Sequence, residues 1–277
     1  MIKIGKLKLS SRVLLAPMLE PNDVAFRILC KRAGAGLVYT GMISPLSKKK
    51  MVFDDRPVVQ LFGNSVLGFR SFIKKYDGEV SGWDFNLGCP SKLSRSLGHG
   101  AFMHEDLKTI EKILKIMRAS TEKLVTVKLR KSGNALAIAK LAEKIGVDAI
   151  GIHARTFGQG YSGEVDYVFA LKLKRAVSVP VVYSGDVNGK NVSNILKDFD
   201  FVMIGRAAIG NPGIFLGKKF GFGEYLKLAK KYKLFFRQIK FQAMNWTKGM
   251  SGAKRLRLDL VGAKSVGDIE RIMGNNK

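Results

Sequence analysis

The stretch DFNLGCPSKLSRSLGHGAFM, Asp84 to Met103, runs from an apolar segment into a glycine-rich loop built around one of only two cysteines. Cys89 lies between Gly88 and Pro90, at the mouth of a predicted strand rather than in the apolar surroundings of a structural thiol. An ordinary thiol is mostly protonated at neutral pH, so at such a mouth it can deliver a proton without activation. Polar residues close other apolar runs too: Gln60, Asn86, Lys128 with Arg130, His153 with Arg155, Ser184-Gly185-Asp186 and Gly205-Arg206. In YSGDV and MIGRAAIGNP the glycines and Arg206 place backbone N–H groups just before a helix, an arrangement that takes an anion such as phosphate. The three histidines, at 99, 104 and 153, share no metal-ligand spacing with either cysteine, and no metal is expected. GQGYSG (158–163) matches the glycine pattern of dinucleotide-binding turns, but it neither directly follows a strand nor opens a helix. Cys30, inside a predicted helix, reads as a core thiol.

Residues so far apart in sequence need a scaffold that brings strand ends together. Eight short apolar runs recur: VLLA (13–16), GLVYT (36–40), VVQLF (58–62), WDFNL (83–87), VTVKL (125–129), AIGIHA (149–154), PVVYSG (180–185) and FVMIG (201–205). Amphipathic segments such as DLKTIEKILKIMRAS and NALAIAKLAEKIG separate most of them. Continuous apolar strands alternating with helices predict an α/β fold with a parallel sheet, here a (β/α)8 TIM barrel, with a doubly wound sheet as the alternative. In a barrel the C-terminal strand ends share one mouth, where active sites are built, and the last two loops often hold a phosphate. After Phe215 the pattern turns helical with no β-like run. The chain therefore divides into a barrel domain, 1–216, and a small C-terminal helical domain, 217–277.

Composition is that of a globular protein, 46% hydrophobic and 25% charged over 277 residues. No apolar run is long enough to span a bilayer, no secretory leader is visible, and two cysteines without disulfide-like spacing suit a reducing cytoplasm. The charge is the outlier: 48 Lys+Arg against 22 Asp+Glu give +26. Residues 217–277 carry 15 basic and 4 acidic residues, net +11, so they are more basic per residue than the rest. Such an excess points to a polyanion partner, most simply nucleic acid.

Taken together, these segments resemble the tRNA-dihydrouridine synthases, a family of flavin-dependent barrel enzymes. APMLEPNDVAFRILCKRAGAGLVYTGMIS, VVQLFG, DFNLGCPSKLSRSLGHGAF, VTVKLR, IHARTFGQGYSG and VMIGRAAIGNPGIF occur in family order across residues 15–215, and NWTKGMSGAKRLR is similar to a segment of the family's helical domain. LEPND stands where the family usually has Ala-Gly and a Thr-Asp pair, and Ser184 where Asn is usual. The resemblance implies reduction of the C5=C6 bond of uridines in tRNA, with FMN as cofactor and NADPH as reductant, by a cytoplasmic monomer. It makes Cys89 the acid that protonates C5, with the loop 90–104 closing over the base. Pro17, Met18 and Leu19 would border the flavin ring, Gln60 would bond its polar edge, Lys128 would face its pyrimidine edge, and His153 would stand beside it as a neutral donor. Ser184, Gly185, Asp186, Gly205 and Arg206 would hold the ribityl chain and phosphate. Asn86 and Arg155 would hold the uracil, while Lys48, Lys49, Lys50, Arg95 and the basic tail would meet tRNA phosphates. Two other readings remain: an FMN barrel acting on a small pyrimidine, like the dihydroorotate dehydrogenases, and a tRNA-binding protein without catalysis.

Overall fold

Successive side chains of a strand point to opposite faces, so a strand buried throughout must be covered on both sides. LVTVKLR shows the consequence. Val125, Val127 and Leu129 pack outward against helices, while Leu124, Thr126, Lys128 and Arg130 point inward. A computed structural model describes residues 1–19, 22–215, 217 and 220–274; of the predicted helical domain, residues 218, 219 and 275–277 lie outside the described residues.

A hairpin, β1 (Lys3–Ile4) and β2 (Leu7–Lys8), precedes seven parallel strands: β3 (Val13–Leu15), β4 (Val58–Leu61), β5 (Gly82–Leu87), β6 (Leu124–Arg130), β7 (Ala149–His153), β8 (Val181–Ser184) and β9 (Phe201–Ile204). The sheet runs β3-β9-β8-β7-β6-β5-β4. Its free edges are joined by the second predicted strand, 36–40, which appears as bridging pairs only: Leu15 with Val38 on one side and Tyr39 with Val58 on the other. The barrel therefore closes with eight staves, one of them short. That unit also lacks a helix; residues 44–57 cross as a loop that plants Phe53 in the core.

Two apolar layers result. The inner one fills the barrel with Leu14, Leu37, Tyr39, Val58, Leu124, Ala149, Val182, Phe201 and Met203, and Ile4 of the hairpin joins it. The outer one lies between the sheet and helices α1 (Val24–Arg32), α2 (Phe69–Tyr76), α4 (Leu107–Ala119), α5 (Ala135–Ile145), α6 (Tyr167–Arg175) and α7 (Val192–Asp198), while the short α3 (Lys92–Ser96) contributes nothing to it. Cys30 is fully buried there, as a core thiol should be.

Residues beyond 220 form α8 (Phe222–Lys231), α9 (Phe236–Trp246), α10 (Ala253–Gly262) and α11 (Val266–Gly274). Their apolar faces are continuous with the outer layer of the barrel, through Tyr225, Leu226, Ile239, Ala243 and Trp246. The join is also polar: Tyr225 Oη (3.3 Å) and Gln242 Nε2 (3.0 Å) donate to Asp23 Oδ2, and Asp23 caps α1 by accepting from the Phe26 amide. Gly210 passes so close to α9 that a Cβ would lie 2.2 Å from the Asn245 carbonyl, and its φ is +75°. The helical segment is thus seated on the barrel rather than tethered to it.

Candidate active site

Parity along the strands decides which polar residues meet. Gln60, Asp84, Asn86, Thr126, Lys128, Arg130, His153 and Ser184 lie on inward positions of β4 to β8, all but Asp84 and Thr126 at or toward the C-terminal ends. Those six line a cavity of about 530 Å³ at the barrel mouth, and Asp84 and Thr126 lie one inward position before Asn86 and Lys128 on the same strands. Pro17, Met18, Leu19, Gln60, Asn86, Cys89, Lys128, His153, Ser184, Gly185, Asp186, Gly205 and Arg206, all singled out from sequence, line it. Arg130, named with Lys128 as a polar strand end, lines it too, and Met42 and Tyr161 extend the set.

Cys89 is half-buried, and its backbone is pinned from both sides. Asn86 Oδ1 accepts from the amides of Gly88 and Cys89, each at 3.0 Å, and the Ala101 amide donates to the Cys89 carbonyl at 3.2 Å. The loop after Cys89 carries α3 and a 3₁₀ turn at Gly100–Met103. Gly100 (φ +65°) folds it back over Cys89, where a Cβ would collide with the Cys89 carbonyl at 2.8 Å. His104 ties the end of the loop to the barrel, its Nε2 donating to the Leu87 carbonyl (2.6 Å) and its Nδ1 accepting from Ser132 Oγ (2.5 Å).

Lys128 crosses the barrel beside Gly151, where a Cβ would lie 3.2 Å from the lysine Cγ. Burial, reinforced by Arg130, pushes its ammonium down to about 8, and Asp84 and Cys89 pull the other way. Asp84, pushed up to about 6 by burial, accepts from Gln60 Nε2 (2.7 Å) and Thr126 Oγ1 (2.6 Å). Burial and the cations Lys128, Arg130, Arg155 and Arg206 push His153 down to about 2, so its ring is neutral.

Arg155 is not brought to the cavity. Its guanidinium is consumed by the carbonyls of Ser162 and Gly163, by Asp186 Oδ2 at 2.5 Å and by His153 Nε2 at 3.2 Å. Arg130 has a similar architectural position: it donates to the carbonyls of Gly88, Thr156 and Gly160 and lies over the Tyr161 ring. It thereby joins the Cys89 turn to the loop after β7. Arg130 stands out in the sequence as a polar strand end beside Lys128, with no role assigned to it there, and its place two residues further on puts it on the same face. The same parity with Asn86 points to Asp84. Nothing in the sequence distinguishes Tyr161, which reaches the cavity through the course of its loop.

Arg206, half-exposed, pairs with Asp186 Oδ1 at 2.5 Å and lies over Tyr161. Asp186 has φ +50° and is shared by two arginines, which hold its carboxyl below the usual range, led by the hydrogen bond from Arg155. Two guanidinium groups against one carboxylate leave this corner net positive. Gly185 (φ +132°) sits where a Cβ would press on Val165 and His153. Lys48, Lys49, Lys50 and Arg95 are exposed and lie in loops after the second stave and β5, outside the cavity. Among the described residues, no group of three or more His, Cys, Asp or Glu could hold a metal, and no helix is long and apolar enough to cross a membrane.

Comparison with known proteins adds the following. The profile of the dihydrouridine synthase family matches residues 14–257, which includes the barrel and runs into α10. A protein of Rickettsia bellii named probable tRNA-dihydrouridine synthase is 35% identical over 235 residues, 76% of this chain and 72% of that protein. The tRNA-dihydrouridine synthase B of Pseudomonas aeruginosa is 32% identical over 235 residues, covering 77% and 70%. Among solved structures, the old yellow enzyme homologue from Zymomonas mobilis superposes with a TM-score of 0.54 at 12% identity, covering 86% of this chain and 94% of that one. Morphinone reductase in complex with tetrahydroNAD gives 0.52 at 12% identity, over 76% and 87%. At that identity these two attest the barrel alone.

Proposed function

Since this chain belongs to the dihydrouridine synthase family, we propose that it reduces specific uridines of tRNA to 5,6-dihydrouridine, with FMN in the barrel mouth and NADPH as electron donor. One observation carries the reading: a half-buried thiol, an interior cation and a neutral imidazole converge on a single cavity at the C-terminal strand ends.

The donor set suits a flavin. Ala16, Pro17, Met18, Met42 and Met203 give the cavity apolar walls for a ring, and Lys128 supplies a cation at its floor. Gly185 and Gly205 line the same corner of the cavity, and Arg206 stands ready to exchange Asp186 for a phosphate. Gln60 would hold the polar ring edge and His153 would donate beside it, while Pro17 to Leu19 would flank it. FMN, when bound, supplies the hydride that adds to C6 of the uracil.

The chain's own residues supply the remainder. Cys89 holds a proton on sulfur, half-buried at the mouth, for delivery to C5. Lys128 and Arg130 are close enough to interact with Cys89 electrostatically, on the side where proton loss leaves a negative sulfur. Asn86 fixes the backbone of Cys89, and the folded-back loop at Gly100 limits water access to it. A uridine in folded tRNA is stacked, so reaching Cys89 requires its extrusion, sustained by phosphate contacts around the mouth. Lys48 to Lys50, Arg95 and the exposed lysines of residues 217–277 are suited to that. On this reading residues 217–277 form the tRNA-binding part of a cytoplasmic, monomeric enzyme whose barrel, 1–216, carries the chemistry.

The decisive test incubates purified protein with FMN, NADPH and unmodified tRNA transcripts, then reads nucleosides by mass spectrometry. A uridine that gains two hydrogens is the expected product. Oxidation of dihydroorotate, with tRNA left unchanged, would overturn the reading.

A further inference from the structure

A polar chain runs through the barrel interior from Thr126 to the amide of Cys89, and its direction is forced from one end. The amides of Gly88 and Cys89 can only donate, and both lie 3.0 Å from one atom of Asn86, which must be Oδ1. Asn86 Nδ2 therefore faces Gln60 at 2.7 Å and requires Oε1 there. Gln60 must then present Nε2 to Asp84, at 2.7 Å, where only an acceptor fits. Asp84 meets this demand whether ionised or neutral, because a proton can sit on Oδ1, and Thr126 Oγ1, 2.6 Å away, can turn from donor to acceptor. Gln60, Asp84, Asn86 and Thr126 are between 1% and 7% exposed, so little water is available to satisfy a reversed amide.

We propose that Asp84 is a positioning residue for Cys89: through Gln60 and Asn86 it fixes the one amide orientation that can anchor the Gly88 and Cys89 backbone. Thr126 is the swivel that keeps this orientation independent of the charge on Asp84. The chain also sets what the cavity wall offers a ligand: the second N–H groups of Gln60 and Asn86 are donors, that of Asn86 spent only on the weak acceptor Met42 Sδ at 3.8 Å. The inference rests on the proposed function only in treating Cys89 as the acid. The anchoring itself can be measured without turnover, so failure of one is distinguishable from failure of the other.

The test is hydrogen exchange of the Gly88 and Cys89 amides at about pH 8, above the value of about 6 for Asp84, with the strand amides of β6 as control. With both carboxylates ionised, Asn86→Asp sets acceptor against acceptor at one link, whichever way Gln60 turns, and should speed exchange about tenfold or more. Adding Asp84→Asn moves the single carboxylate to the other end; Gln60 then reverses, every link is matched, and exchange should return to within about threefold of the parent. Asp84→Asn alone should change little, because Thr126 can accept from the new amide. Should Asn86→Asp not fold, Gln60→Glu alone and Gln60→Glu with Asp84→Asn pose the same question one link along. A double variant that exchanges as fast as its damaged single parent, or fast exchange in Asp84→Asn alone, would show that the residues act independently and overturn the proposal.

Discussion

Arg155 Nη1 donates to His153 Nε2 at 3.2 Å. A guanidinium has no acceptor, so the neutral imidazole must carry its proton on Nδ1. Arg155 is itself held by the carbonyls of Ser162 and Gly163 and by Asp186. An arginine that resemblance assigned to the substrate thus sets the tautomer of a residue lining the cavity.

That neutrality has a measurable consequence. His153 is pushed down to about 2, mainly by burial, so the unfolded chain takes up a proton near its ordinary value of 6.5 that the folded chain refuses. Its stabilisation is present above that value and is lost as pH falls toward 2. Asp84 works in the opposite sense: pushed up to about 6 from 3.8, it is protonated first in the folded state. Between about pH 6 and 4 the two nearly cancel in the wild type, and His153→Gln should uncover Asp84. The stability difference, wild type minus variant, should fall by about 1.4 kcal/mol per pH unit in that window. Urea unfolding at several pH values measures it; a difference independent of pH would mean that His153 is protonated in the fold.

Cys89→Ala should retain FMN and its reduction by NADPH yet lose reduction of tRNA uridines, because only the second half-reaction consumes the C5 proton. Single-turnover mixing of the reduced enzyme with tRNA separates the two steps. Cys30→Ala, altering a fully buried thiol in α1, should leave turnover nearly intact and lower stability by about 1 kcal/mol. Equal tRNA reduction by wild type and Cys89→Ala would remove Cys89 from the chemistry.

Lys128→Met should lower the reduction potential of bound FMN by tens of millivolts, since roughly 1–3 kcal/mol of charge stabilisation is lost beside the ring. Arg206→Ala should instead weaken FMN binding and leave the potential of the bound flavin nearly unchanged. A potentiometric titration in which Lys128→Met matches the wild type would place the lysine away from the ring.

The basic surface of the C-terminal helices can be tested without cutting the chain, which matters because α8 and α9 share a core with α1. Lys231, Lys233, Lys248 and Lys254 are exposed. Replacing all four with Gln should flatten the slope of log K against log salt for tRNA binding by about three, at roughly 0.7–0.9 per phosphate contact. An unchanged slope would assign the tRNA to the barrel mouth, with Lys48 to Lys50 and Arg95.

Much of this was legible in the sequence because it depends on local order. Apolar runs at regular spacing determine the strands, and the residue at each strand end follows from where the run stops. Gln60, Asn86, Cys89, Lys128, His153, Ser184 and Arg206 could therefore be picked out, and the barrel gathers them at one cavity. Arg130 was legible in the same way, and strand parity adds Asp84, the inward neighbour two residues from Asn86. Tertiary structure alone decided the rest. Closure by Val38 and Tyr39, too short a stretch to form a full ladder, depends on β3 and β4 standing on its two sides, at the free edges of a sheet in which β3 has already paired with β9. Arg155 was drawn away from the cavity by carbonyls of a loop whose path no local pattern encodes. The direction of the chain from Asp84 to Cys89 is likewise a property of four buried side chains together. A hydrogen bond has a donor and an acceptor only once both atoms are in place, and three neighbouring strands put them there.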